Sequence, residues 1–151
     1  MIEIRRAGPD QAEALARLRA ASLIELEHLA PAERDAFVPR AAAEFVRLFA
    51  EHRLAAWLLC EGEAPIGSAC VNYFDRLPYP DGTVHAELSG VYVEPRFRGA
   101  GHASRLVAEV VAEIRSSSAR KAFLRPSSAA RSLYERLGFV DDRTGVMSLQ
   151  G

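Results

Sequence analysis

The residues best placed to do chemistry lie in one run, Val91-Tyr92-Val93-Glu94-Pro95-Arg96-Phe97-Arg98-Gly99-Ala100-Gly101-His102-Ala103. It reads as a strand, a proline stop, a basic glycine-rich turn and the start of a helix. Backbone N–H groups exposed at such a turn and helix N-terminus make a site for an anion such as phosphate. The charges sharpen this expectation. Arg96, Arg98, His102 and Arg105 gather where a helix macrodipole favours Asp or Glu. An anionic ligand would supply the missing negative charge.

The helix behind the turn is expected from about Ala100 to Arg115. Ala103, Leu106, Val107, Val110, Val111 and Ile114 recur at helical spacing and make one apolar face. Upstream, Ile2 and Ile4 alternate with Glu3 and Arg5 as a first strand. Gly8-Pro9-Asp10 breaks it, with Asp10 as the expected cap of a helix carrying Ala14, Leu15, Leu18, Ala21 and Ser22. Pro31 opens a second helical stretch, which Pro39 is expected to interrupt. Leu54 to Cys60 is a buried-strand run. Glu61-Gly62-Glu63 turns it into a second strand, Ile66 to Tyr73. Asp75 to Gly82 is a breaker-rich loop, and His85 to Val93 is the strand that feeds the glycine turn. Lys121 to Arg125 is a short strand, and Ser127 or Ser128 caps a last helix that Gly138 closes. Phe139-Val140 and Val146 to Leu149 read as two final strands. The expected order is βααβββαβαββ, an α/β fold with one mixed (α+β) sheet and a single domain over 1–151.

The chain carries 19 Lys plus Arg against 20 Asp plus Glu, a net charge of −1. With no general basic field, nucleic acid is not an expected partner, and the basic turn stands out as a local site. Cys60 and Cys70 lie in apolar runs and read as small buried thiols. No CxxC pair suggests a metal or redox centre. Residues Met1 to Arg5 hold no apolar run of membrane or signal-peptide length, so the expectation is a cytoplasmic protein. A dinucleotide-binding fingerprint would need glycine where the chain has Ser104, and a Walker loop would need G-K-[ST]. Both fail.

Arg96-Phe97-Arg98-Gly99-Ala100-Gly101 resembles the R/Q-x-x-G-x-G/A signature of the GCN5-related N-acetyltransferases, the GNAT superfamily. Ser132-Leu133-Tyr134-Glu135-Arg136-Leu137-Gly138-Phe139 resembles a later segment of the same family. The resemblance spans essentially the whole chain, and two motifs in the right order make it specific. It implies acetyl-CoA or a related acyl-CoA as co-substrate, no metal, and an amine acceptor that is a small molecule or peptide. Family analogy also suggests a homodimer.

On that resemblance, backbone amides of Arg98, Gly99, Ala100, Gly101, His102 and Ala103 bind the pyrophosphate, with Arg96 beside them. The main chain of Val91, Tyr92 and Val93 guides the pantetheine arm. Gly90 fits a bulge that splays this strand from its neighbour. The Val91 N–H is an oxyanion donor. Spacing alone makes Tyr134 a core tyrosine beside Ala130, Leu133 and Leu137, while the resemblance makes it the general acid that meets the sulfur, and the two are compatible. Glu87 matches a general base used by some members, and equally reads as a solvated or ion-paired strand residue. Simple alternation puts Glu87, Ser89, Val91 and Val93 on one face unless a bulge shifts it. His85 is a weaker candidate base.

Two positions depart from the family pattern. Ser127 stands where Asn is frequent, and His102 where Ile or Leu is. Arg131 reads first as a solvated helix arginine, with the cofactor's phosphates as its other reading. Tyr73, Phe74, Tyr79 and Trp57 are candidates for an acceptor pocket, with Trp57 also suited to the core. The near-neutral charge argues against a strongly charged acceptor such as an aminoglycoside or polyamine. The alternative function is a GNAT-fold module that binds acyl-CoA without catalysis, as a sensor or partner-binding domain.

Overall fold

The computed structural model describes residues 1–80, 82–142 and 147–150. Strands β1 (Ile2–Ala7), β2 (Leu54–Glu61), β3 (Ala64–Asp75), β4 (Val84–Val93) and β5 (Lys121–Phe123) form one sheet in the order β1-β2-β3-β4-β5. The first three pairings are antiparallel, and β4 pairs β5 in parallel. The helices are α1 (Ala12–Glu25), α2 (Arg34–Ala50), α3 (His102–Ser116) and α4 (Arg131–Arg136).

Strand β2 explains why the sheet has helices on both sides. Its run Ala55 to Cys60 is buried throughout and alternates between two cores. Ala55, Trp57 and Leu59 pack with Leu106, Val107 and Val110 of α3. Ala56, Leu58 and Cys60 pack with Leu15 and Leu18 of α1 and with Phe45 and Phe49 of α2. Leu106, Val107 and Val110 are completely buried, each worth about 1.5–3 kcal/mol relative to exposure. A strand apolar on both faces needs such a cover on each side.

The element order follows the sequence up to α4, with two local corrections. Asp10 does not cap α1. It lies in a 3₁₀ turn, Pro9–Gln11, whose Gln11 side chain accepts the Gly8 N–H at 2.9 Å. Helix α2 runs unbroken through Pro39. Proline so near the N-terminus removes a single ladder bond, to the carbonyl of solvent-exposed Asp35, while Val38 anchors that turn in the α1–α2 interface.

The two final strands are absent from the described residues. The Phe139 N–H donates to the Tyr134 carbonyl at 3.1 Å, closing α4, and its ring packs edge-on against Tyr134. Asp141 is bound by Arg131, and Asp142 by Lys121 at 2.7 Å. The segment thus folds back on α4 and β5 through side chains instead of extending as a ladder. Met147 and Leu149 are almost fully exposed, with no face to bury. Val146 lies outside the described residues.

Candidate active site

Strand β4 is the axis of the site. Its ladder with β5 covers His85–Glu87 against Lys121–Phe123 and stops there, while β4 continues to Val93. From Leu88 onward the edge facing β5 has no ladder, so backbone N–H and C=O groups line an open slot between two parallel strands. The expected bulge is present. Ser68 pairs Tyr92 but Cys70 pairs Ser89, so β4 carries one extra residue, and Gly90 sits at φ +64°. Ser68 is buried, and its hydroxyl donates to the Gly90 carbonyl at 3.1 Å, pinning the kink.

The bulge inverts the side-chain alternation. Ala86 and Leu88 face the α3 core, and after the bulge so do Val91 and Val93. Glu87 and Ser89 therefore point to the opposite face, the α1–α2 side. This corrects the simple parity that groups Glu87, Ser89, Val91 and Val93. The extra residue resets the period of two.

The strand ends in a 3₁₀ turn, Pro95–Phe97, and then the glycines. Gly99 and Gly101 both adopt left-handed backbone, φ +84° and +83°, and a Cβ on either would meet open space. Gly101 is also the N-cap of α3, with no side chain to satisfy the first helical N–H groups. Those orphan donors face solvent beside the open slot. The cations divide. Arg98 is not free for an anion. Its guanidinium makes a two-pronged pair with Glu25 at 2.6 and 2.7 Å and donates to the Val93 carbonyl at 2.7 Å. Glu25 raises the Arg98 pKa, and Arg98 holds the Glu25 carboxyl below its ordinary range. Arg98 thus ties the end of α1 to the end of β4. Arg96 is mostly exposed and lies over the Phe97 ring, while the Arg105 guanidinium donates to His102 Nδ1 at 3.1 Å. Arg131 is engaged by Asp141 and Glu135. Ser127 Oγ accepts the Ala130 N–H at 3.3 Å, steadying the entry to α4.

Tyr134 is buried in the α3-side core, and burial pushes its phenol above the ordinary value. It is both core tyrosine and cavity wall. A cavity of about 850 Å³ between α3, β5 and α4 is lined in part by Tyr134, Phe139, Leu124 and Ile114. That cavity reaches neither Glu87 nor the glycine turn. Glu87 sits on the far side of the sheet, ion-paired with Arg125 at 3.4 Å. The candidate base and acid therefore flank the β4–β5 slot from opposite faces. Cys70 is across from Gly90, and burial pushes its thiol up to about 12, leaving it protonated and inert at neutral pH. Among the described residues no cluster of His, Cys, Asp or Glu could hold a metal ion.

Of the candidate pocket aromatics, Trp57 and Tyr73 belong to the α3-side core, and Tyr79 is exposed on its loop. Phe74 lies on the Glu87 face, beside His85 and Phe123. Sequence reasoning missed Glu25, Ser68 and Asn72. Ser68 and Asn72 carry a legible signal, as polar residues inside the apolar run Ile66 to Tyr73.

The family model for the acetyltransferase (GNAT) family matches residues 18–139. The chain belongs to the GNAT acetyltransferase family. Solved structures share the fold of this GNAT chain at low identity. A predicted acetyltransferase from Clostridium acetobutylicum, solved with acetyl-CoA, superposes with a TM-score of 0.83 at 23% identity, covering 99% of this chain and 96% of that one. A GCN5-related N-acetyltransferase from Ralstonia eutropha JMP134 gives 0.82 at 21%, over 100% of both chains. A ribosomal-protein-alanine N-acetyltransferase from Brucella melitensis gives 0.70 at 19%, again over 100% of both. No curated protein matches this GNAT chain in sequence. Among the described residues no helix is long and apolar enough to cross a membrane.

Proposed function

We propose that this GNAT chain transfers an acetyl group from acetyl-CoA to a primary amine by direct attack within a ternary complex. The observation that carries the reading is the β4–β5 slot. The ladder ends at Glu87–Phe123, and the free edge of β4 runs past a pinned bulge into two left-handed glycines and an uncapped helix. A pantetheine arm has amide groups that pair with such an edge, and a pyrophosphate suits the donors at its end. A neighbour of the same fold solved with acetyl-CoA adds support.

In this reading Val91, Tyr92 and Val93 hold the arm through their main chain. The amides of Gly99, Ala100, Gly101, His102 and Ala103, flanked by the Arg96 side chain, hold the pyrophosphate. Arg98 keeps the strand end and α1 together instead of binding phosphate directly. Ser127 lies where the arm would pass between β5 and α4. Glu87 takes one proton from the ammonium on the α1–α2 face, the neutral nitrogen attacks the thioester carbonyl, and the nitrogen's second proton leaves to solvent as the amide forms. The Val91 N–H stabilises the oxyanion. As the C–S bond breaks, Tyr134 protonates the departing sulfur and recovers its proton from solvent. A reduced, cytoplasmic setting accords with two free buried thiols.

The test measures thiol release from acetyl-CoA with a broad amine panel, for the native chain, Tyr134→Phe and Glu87→Ala. Tyr134→Phe keeps the ring packed on Phe139 and is expected to lower kcat by about 10²-fold or more with acetyl-CoA affinity retained. Burial raises the Tyr134 pKa, so the protonated acid persists above the ordinary phenol value of 10. The native rate should hold up to that pH and fall beyond it, a limb that Tyr134→Phe removes. Binding of acetyl-CoA with no turnover on any amine would favour the non-catalytic module. No binding of acetyl-CoA would end both readings.

A further inference from the structure

The α1–α2 face of the sheet carries two neighbouring oxygen acceptors, on Asn72 and Glu87. Asn72 of β3 is the register partner of Glu87. Directly opposed residues on antiparallel strands project to the same side, with Cβ atoms about 5 Å apart. Asn72 Oδ1 is buried with no hydrogen-bond donor among the described residues. Buried polar atoms are seldom left so, and an unmet one marks a place where a partner belongs. The Glu87 carboxylate beside it is also an acceptor. It is met by Arg125 at a long 3.4 Å, through a side chain that is 74% exposed. Such a pair is weak and readily displaced.

Two oxygen acceptors, one of them anionic, complement a compact cation with several N–H donors. A primary ammonium has three. The surroundings narrow its class. Phe74 and Phe123 meet edge to face at 5.8 Å, and Phe74 lies 6.0 Å from His85. Phe123 pairs Glu87 in the parallel ladder, so these rings wall the same face. They favour an apolar or aromatic stem and attract the cation by their faces. Lys121, which pairs with His85 and is held by Asp142, and Arg125 together oppose a second positive charge.

We propose that Asn72 Oδ1 and the Glu87 carboxylate jointly bind the acceptor as a primary ammonium on an apolar stem laid along Phe74 and Phe123, with Arg125 as a displaceable placeholder. The inference rests on the acetyltransferase reading and adds Asn72 as a specificity-determining residue.

The experiment titrates 2-phenylethylamine, and separately its N,N,N-trimethyl derivative, into the full chain saturated with CoA, followed by calorimetry. Native protein should bind the primary amine about tenfold or more tightly than the trimethyl form, which has no N–H to give. Asn72→Leu should weaken the primary amine by a similar factor with acetyl-CoA affinity unchanged. Asn72→Asp, which keeps the shape and adds charge, should bind at least as well as native, so a folding defect in Asn72→Leu does not decide the matter. Arg125→Ala should tighten binding. Equal binding of the two amines, binding of neither, or weaker binding by Asn72→Asp overturns the proposal. A parallel titration with acetyl-CoA separates the failures. If acetyl-CoA binds and the amine results are negative, the acceptor site alone is wrong. If acetyl-CoA does not bind, the underlying acetyltransferase reading falls.

Discussion

The two halves of β4 behave as different structures. From His85 to Glu87 the strand is paired on both edges, antiparallel to β3 and parallel to β5. From Leu88 to Val93 it is paired to β3 alone, kinked at Gly90 and pinned by Ser68. The first half is ordinary sheet, and it is the half whose side chains we assign to the acceptor. The second gives up one ladder, and its backbone is left with a free edge, the one the proposed function gives to the donor. The bulge between them moves Val91 and Val93 to the α3 side while Glu87 stays on the other. In the proposed reading, one extra residue thus separates the donor side from the acceptor side of a single strand.

The strongest way to break that contrast is to push the second half off its remaining neighbour. Gly67 pairs Val93, and a Cβ there would lie 2.7 Å from the Tyr92 carbonyl oxygen and 3.3 Å from Leu59 Cβ. Both obstacles belong to the sheet, so the strands must part. Gly67→Ala is expected to cost about 3 kcal/mol by urea unfolding, the upper range for overpacking, and to abolish measurable acetyl-CoA affinity. Amide exchange at Ala86 and Glu87 should stay slow in the same variant. A cost too small to resolve would show that the second half is not held by its β3 ladder.

A second substitution attacks the kink without crowding it. At Gly90 an added Cβ meets Cys70 Sγ at 3.9 Å, an ordinary contact, but φ is +64°. The penalty of Gly90→Val is therefore backbone strain, about 1–2 kcal/mol for a non-glycine left-handed residue. The chain can escape it by straightening the strand, which would return Val91 and Val93 to the wrong face. Acetyl-CoA affinity should then fall much further than stability does. Calorimetric titration beside thermal unfolding tests this, and an unaltered affinity would mean that the bulge does not shape the donor slot.

These tests also mark where sequence stops being informative. Element order was legible through α4 because period 2 and period 3.6 are local signals, as in Ile2 to Arg5 and Leu106 to Ile114. Gly90 was legible as a bulge, since an isolated glycine in a strand marks a bulge, a bend or, as at Gly67, a close backbone approach. Its consequence for side-chain direction was not, because counting by twos assumes an unbroken pleat. The cations of the turn looked alike in sequence. The partner of Arg98 lies 73 residues away on α1, and no local pattern announces a contact of that range. The orphaned oxygen of Asn72 depends on what three strands fail to supply, which only the assembled sheet reveals. The tail misled for the opposite reason. Val140 and Leu149 look like strand residues, yet Phe139 spends its N–H on closing α4.

The smallest effect should come from the tie that joins the second half of β4 to α1. Glu25 and Arg98 are both about half exposed, so solvent screens their pairing and its worth is modest. It nevertheless has a readable pH signature. The hydrogen bond from Arg98 lowers the Glu25 pKa from 4.5, against a smaller opposing effect of burial. A depressed carboxyl stabilises the fold above its unfolded value, because the unfolded chain takes up the proton first. That stabilisation is complete at pH 7 and is lost as pH falls below 4.5 and through the lowered folded value. Glu25→Gln should therefore be slightly less stable than native at neutral pH, with the gap closing under acid in parallel urea titrations. A gap that stays constant from pH 7 to the acid side of that range would assign the difference to packing instead of charge. Acetyl-CoA affinity should change less than in Gly90→Val, since Arg98 Nε still holds the Val93 carbonyl when its carboxylate partner is gone.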